Sequence, residues 1–486
     1  MTGLRSNDQV YSTTQFQRLS DEQCQKLYWA CLEVMERTGV RLYDQEALDL
    51  LNKAGVSASD GNRVRIPSGL VEKAFSTVPK RVTLCDRHGK RVMPVEGHCS
   101  FYGPGSDCLN IIDHRTGEHR KPVLQDIADA MTVADALPHI DFVMCMFVPM
   151  DVPQPIADRY QMQAMLKYTT KPIMYVTTGF SGCVDVVEMA EAVVGSPEAL
   201  RQNPLAACYI NVTTGLRHNE EALQKLLYLA GKGLPMAYVP SGQGGVTAPV
   251  TLAGSMVVAH TGALVGLVLS QLKREGAPFI MPGWGGDMLD MRTTVLPYAE
   301  PDKRAMAPDF VHYLGLPMFA LAGCSDSKMV DEQAGIEAAL TLMTDALCGG
   351  NIVHDLGYLE SGLTGSLVQL VICDEILSWL KTFVRGVEIN DETLALDLID
   401  EVGPDGQFLD SDHTLKHFRE RWYPKLFDRD NYDGWLAKGG TSLAERATKR
   451  VEAILAEHKP EPLPDDVAQA VRAVVERAEA ANHRPN

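Results

Sequence analysis

NIVHDLG, residues 351–357, is a short apolar run that ends in a histidine, an aspartate and a glycine. Its form recurs upstream. CSFYG (99–103), DFVMCMFVP (141–149), PIMYVTTG (172–179), ACYINVTTG (207–215), PMAYVPSG (235–242), PFIMPGWGG (278–286) and PMFALAG (317–323) are each apolar or β-branched, and each is followed by turn-forming residues. The eight runs recur roughly every thirty to forty residues, room for a strand and its returning helix. The intervening segments read as helices: DEQAGIEAALTLMTDAL from Asp331 carries Ile336, Leu340 and Met343 at helical spacing, and NEEALQKLLYLAGKG from Asn219 ends in glycine. A doubly wound open sheet has the same local pattern. Eight units favour closure, so the predicted fold class is α/β, a (β/α)8 TIM barrel.

Extensions flank the barrel. Residues 1–96 read as a helical and small mixed N-terminal extension, in which Ser20 and Gln23 make a capping-box spacing and Gly39 stops the helix. Residues 97–375 hold the barrel. Residues 376–486 form a charged helical C-terminal extension, with helices expected from His413 and Thr441 and, beyond the KPEPLP link, over DDVAQAVRAVVERAEAA. Such an amphipathic tail suits a homo-oligomer.

Composition narrows the function. A formal charge of -18 argues against a nucleic-acid binder, because phosphate contacts need clustered Lys and Arg. Mean hydropathy is -0.09, and the apolar stretch GALVGLVLSQL from Gly262 falls short of a membrane span, so no membrane association is expected. The stretch MTGLRSNDQVYSTTQFQRLS lacks the apolar region of a secretory leader, and the eleven cysteines form no CxxC pair. A cytoplasmic protein with buried thiols is expected.

In a barrel the chemistry gathers where the strands end at their C-terminal side. The runs deliver Tyr102, Asp107, Thr178, Asn211, Gln243, Trp284, Asp287, Lys328, His354, Asp355, Tyr358 and Glu360 to that mouth. HExxH, GxSxG, Walker and dinucleotide GxGxxG patterns are missing from the sequence. His354 reads either as a core histidine on a backbone carbonyl or as a ligand group, and Asp355 as a helix cap or an orienting partner. Lys328 reads as an ion-pair member, or as a Schiff-base lysine in a barrel lyase. The glycine-dense SGQGGV and GWGGD stretches suit a phosphate or simple turns.

GCSDSKMVDEQAGIEAAL (323–340), NIVHDLGYLESGLTGSLVQLVICDEI (351–376) and SFYGPGSD (100–107) carry a resemblance to the trimethylamine methyltransferase superfamily. The resemblance extends over nearly the whole chain. It implies a (β/α)8 barrel that passes a methyl group from an amine to the cobalt of a separate corrinoid protein. Archaeal trimethylamine enzymes of the family carry pyrrolysine in the barrel; here standard residues fill those loops. The chain therefore resembles the non-pyrrolysine branch, whose members demethylate quaternary amines, and within it the glycine betaine:corrinoid methyltransferases. Proline betaine, carnitine and γ-butyrobetaine enzymes are similar too.

The resemblance implies no tightly bound cofactor and no catalytic metal, with cob(I)alamin supplied by a corrinoid carrier protein. It also implies no acid or base, because a quaternary ammonium already carries the charge that lets an amine leave. Orientation is then the barrel's task. Tyr102 and Trp284 are expected on the trimethylammonium, with Tyr209, Tyr238 and Tyr358 behind them. His354 is expected on the substrate carboxylate, more strongly if protonated, helped by Gln243, Thr178 and a helix N-terminus at ESGLTG, with Asn211 and Glu360 completing the pocket.

Overall fold

The computed structural model describes residues 15–300 and 303–482. Residues 1–14, part of the stretch read for a leader, lie outside them. The chain enters through helix α1 (Asp21–Glu33), where Ser20 and Gln23 form the predicted capping box, and a π-turn leads to Gly39. Seven parallel strands follow: β1 (Phe101–Pro104), β2 (Ile173–Tyr175), β3 (Ala206–Val212), β4 (Met236–Pro240), β5 (Phe279–Pro282), β6 (Met318–Leu321) and β7 (Ile352–Leu356). They curl into one sheet in the order β1-β7-β6-β5-β4-β3-β2.

The second run, DFVMCMFVP, is not a strand. Residues 141–147 pass between the two sheet edges and close the barrel with single hydrogen bonds. Asp141 N–H donates to Tyr102 O (2.7 Å), Val143 N–H to Pro172 O (2.9 Å), and Met174 N–H to Val143 O (2.9 Å). Met146, with φ +63°, turns the segment out of extended geometry before a ladder can form. The barrel is thus closed by seven strands and an irregular stave.

Helices α2 (Leu124–Ala136), α3 (Ala157–Tyr168), α4 (Phe180–Val194), α5 (Glu220–Lys232), α6 (Leu252–Lys273), α7 (Met306–Leu314), α8 (Glu332–Cys348) and α9 (Leu367–Val384) alternate with the staves. α6 corrects the expectation about the apolar stretch. With 22 residues it is long and apolar enough to cross a membrane, yet 78% of its most apolar window is buried in this fold. α8 presents Ile336, Leu340 and Met343 outward, opposite to the usual reading of an apolar stripe. α10 (Leu443–Glu457) packs on α9 and α2, and α11 (Asp465–Asn482) on α3 and α4. The helix expected from His413 is confined to Asp412–His417 and one 3-10 turn.

Side chains that alternate along the strands fill the interior. Phe101, Ala207, Ala237, Val239, Ile280, Phe319 and Ile352 point inward, joined by Phe142 and Met144 of the stave. The hairpin Val82–Cys85 with Arg91–Val95 seals the bottom, placing Val82, Leu84, Met93 and Val95 in the same cluster. One buried side chain ties this end together. Asn351 donates to Gly97 O (2.7 Å) and Cys99 O (3.0 Å) and accepts from Met318 N–H (2.9 Å), joining the starts of β1, β6 and β7. Asn351→Ala strands those groups without water. We expect a loss of about 3 kcal/mol of unfolding free energy in urea titration; a loss below about 1 kcal/mol would show that the tie is dispensable.

Candidate functional site

Strands alternate sides, so His354 and Asp355 should face opposite ways. They do not. Between Val353 and Leu356, β7 gains one residue over β1, and Asp355 takes φ +77° at the bulge. Both side chains then enter the same space, with His354 Nε2 3.4 Å from Asp355 Oδ1. A left-handed aspartate costs about 1–3 kcal/mol and persists only where its surroundings hold it. Gly105 makes the room, since any Cβ there would overlap the Asp355 carboxyl and the Tyr358 ring.

The space is a cavity of about 310 Å³ at the C-terminal end of the strands. Its walls are aromatic. Tyr209, Trp284, Tyr298 and Tyr358 line it with His354, which stacks on Phe319 (4.0 Å between centroids, 17°) and lies 5.3 Å from Trp284. Asn211, Ser241 and Gln243 add neutral polar groups. A larger groove, about 930 Å³, lies under residues 459–479 on the outer helices, remote from the strand ends.

The charges are unequal. Lys303 Nζ donates to Asp287 Oδ1 (2.5 Å) and to Pro297 O (2.8 Å), so its charge is already matched. The Arg304 guanidinium is spent on Leu321 O, Tyr298 O and Cys324 Sγ. Asp107 and Asp355 are the two remaining carboxyls. Burial raises both, Asp355 to about 8, with Asp107 pushing it further up and Arg304 pulling it down. His354 gives its Nδ1–H to Ala320 O (2.6 Å), and burial lowers its pKa to about 3. The imidazole is therefore neutral, with an accepting Nε2 toward the cavity; the protonated form that would strengthen the expected carboxylate contact is not its resting state.

Of the predicted residues, His354, Trp284, Gln243, Asn211 and Tyr358 share this cavity, as does Tyr209. Three do not reach it. Tyr102 sits one residue from inward-facing Phe101 and so points outward, where Lys381 Nζ lies 6.0 Å from its ring. Thr178 is exposed beyond β2, its N–H bonded to Asp158 Oδ2 (2.9 Å). Glu360 turns to the hairpin at His119, 3.3 Å from its Nε2, and accepts from Thr364 Oγ1. Tyr238 is in the outer core, its hydroxyl hydrogen-bonded to His218 Nδ1 (2.7 Å). ESGLTG starts no helix: Glu360–Gly362 is one 3-10 turn with Ser361 left-handed, and α9 begins at Leu367 behind the Ser366 cap. Asp355 caps no helix, and exposed Lys328 donates to Asp326 O (2.7 Å), leaving the Schiff-base reading without a buried amine. Tyr298, Lys303 and Arg304 escaped the sequence reading. They sit in the long β5–α7 connection, whose length was the available signal.

A family model described as trimethylamine methyltransferase (MTTB) matches residues 5–482. The chain belongs to this family. It is similar to the trimethylamine methyltransferase MttB of Desulfitobacterium hafniense (strain DSM 10664 / DCB-2), at 32% identity over 95% of this chain and 93% of the relative. It is also similar to the glycine betaine methyltransferase of Desulfitobacterium hafniense (strain Y51), at 29% identity over 94% of this chain and 96% of the relative. The trimethylamine methyltransferase MttB of Methanosarcina barkeri is 28% identical over 95% of this chain and 94% of the relative. Membership makes the protein a corrinoid-dependent methyltransferase of the methylamine type.

The Lys303–Asp287 pair lines this cavity, with side chains 6% and 14% exposed. Lys303→Met leaves Asp287 buried and unpaired, and thermal or urea unfolding should show a loss of about 3 kcal/mol. The double variant Lys303→Met/Asp287→Leu should recover most of it. Equal loss in both would assign the effect to packing.

Proposed function

We propose that the protein removes a methyl group from a quaternary amine, with glycine betaine the leading substrate, and passes it to cob(I)alamin held by a corrinoid carrier protein. The single observation that carries this reading is the wall of Tyr209, Trp284, Tyr298 and Tyr358 around two carboxyls without a matching cation, Asp107 and Asp355. Aromatic faces hold a trimethylammonium by about 0.5–2 kcal/mol per well-placed ring, and a carboxylate adds charge without demanding a hydrogen-bond donor. A quaternary nitrogen has none to give.

The corrinoid supplies cobalt(I), the nucleophile that accepts the methyl group. The chain's task is to present the C–N bond along the open axis of the barrel. Strong cation binding alone would oppose the rate, because the positive charge disappears as the methyl leaves. Positioning must come from the other end of the substrate as well. Asn211 and Gln243 at the rim carry amide donors that suit a carboxylate there, with the neutral His354 ring forming the wall beside them. The same cavity, at about 310 Å³, has room for proline betaine, carnitine or γ-butyrobetaine, which form the second reading.

A homo-oligomer is part of this proposal. Ile336, Trp379 and Phe383 line an apolar groove between α8 and α9, and the short helices of residues 391–417 bury none of their own side chains. A second copy is the occupant we assign, and a monomeric mass by light scattering would exclude it.

The substrate test is an anaerobic spectrum of free cob(I)alamin with the protein and each betaine in turn, then trimethylamine. Glycine betaine should convert the cob(I)alamin absorbance to that of methylcobalamin; conversion by trimethylamine alone would overturn the quaternary-amine reading. His354→Ala should weaken betaine binding in calorimetry by at least about tenfold. Unchanged affinity would remove His354 from the substrate.

A further inference from the structure

Methyl transfer leaves a base behind. The electrons of the broken C–N bond stay on nitrogen, and the product of a quaternary amine is a neutral tertiary amine, itself a nucleophile able to take the methyl back. In a site closed to water that lone pair needs a proton from the protein. On the quaternary-amine reading given above, we propose that the Asp355 carboxyl, in its acid form, donates its proton to the tertiary amine as it forms, so that the product leaves as an ammonium.

Geometry places Asp355 for this. The bulge in β7 and the missing Cβ of Gly105 bring its carboxyl into the aromatic cavity, against the alternation of the strand. Its ion partner within 4 Å, among the described residues, is His354, and burial keeps that ring neutral, with its one N–H given to Ala320 O. No charge there offsets an Asp355 carboxylate. The surrounding phenols, Tyr209, Tyr298 and Tyr358, are held above their usual range by burial and stay un-ionised, as do the thiols of Cys108 and Cys324. Arg304 lowers the Asp355 carboxyl from beyond ion-pair distance and only in part, its terminal nitrogens donating to Leu321 O, Tyr298 O and Cys324 Sγ. Lys303 is matched by Asp287.

The two carboxyls divide the work by their hydrogen bonds. Burial raises the Asp107 carboxyl too, but Ser106, Gln161 and the Cys145 thiol each favour its ionised form, and it is the carboxyl assigned to face the substrate ammonium. Asp355 has no comparable support and keeps the proton. The balance closes: the C–N bond breaks and leaves its pair on nitrogen, and cobalt(I) supplies both electrons of the new bond to carbon. The Asp355 O–H then breaks as N–H forms, and water restores the proton once the ammonium has left. Asp355 is thus an acid where the family resemblance led us to expect none.

The sign of the pH effect follows from burial. The acid form is present below about 8 and is lost as pH rises through that value. Single-turnover demethylation of whichever quaternary amine the wild type accepts should therefore fall along an alkaline limb. Asp355→Asn should be slower by about a hundredfold at pH 7 and should lack the limb. A wild-type control needs no folded variant: dimethylsulfonioacetate, the sulfonium analogue of glycine betaine, releases a thioether that takes up no proton. Its profile should have no alkaline limb. A limb that persists in Asp355→Asn, a limb equal for the sulfonium, or a flat amine profile overturns the proposal while leaving the substrate reading intact. A wild type that demethylates no quaternary amine at any pH fails the substrate reading, and this one with it.

Discussion

One extra residue in β7 sets the chemistry of this protein. A regular strand would send His354 into the barrel and Asp355 into the helical layer, or the reverse. The bulge lets both enter. The strain of Asp355 at φ +77° is held by the surrounding packing: β1 on one side, β6 on the other, and a glycine opposite. Asn351, four residues before Asp355 on the same segment, anchors the start of β7 by three hydrogen bonds, so slack at the bottom cannot relax the bulge at the top.

The electrostatics of the cavity follow from the same constraint. A buried histidine without a counter-ion sheds its proton, and a buried carboxyl without a cation keeps one. His354 and Asp355 thus stand side by side in neutral forms, although at the protein surface this pair would be ionised. Such a site can accept a cation without first breaking an ion pair. It also suits a reaction in which a positive charge is present at the start and absent at the end, because neither His354 nor Asp355 holds a fixed charge.

Strand positions were legible because each run is short, apolar and closed by turn residues; seven became strands and one a stave bent at Met146. Side-chain direction was less legible. Tyr102 was placed at the mouth from its position at a strand end, but alternation from Phe101 turns it outward. Glu360 lies six residues beyond His354, and a left-handed turn at Glu360 and Ser361 carries it to His119. Ile336, Leu340 and Met343 marked α8 by their helical spacing but face outward, since the inner face of α8 is built from the smaller Ala334, Ala338 and Thr341 beside Leu342.

The sequence by itself determined the βα rhythm, the capping of α1, and family membership through long segments around Gly323 and Asn351. These depend on residue type and spacing along the chain, where local physics acts. Only the tertiary structure decided which groups share a cavity and in what protonation state. Lys303 meets Asp287 sixteen positions away in the sequence, and Asp355 on β7 meets Gly105 at the end of β1, its neighbour in the sheet but remote along the chain. No periodicity encodes such meetings. Burial then sets the charge, because the cost of an ion depends on what surrounds it and not on its place in the chain.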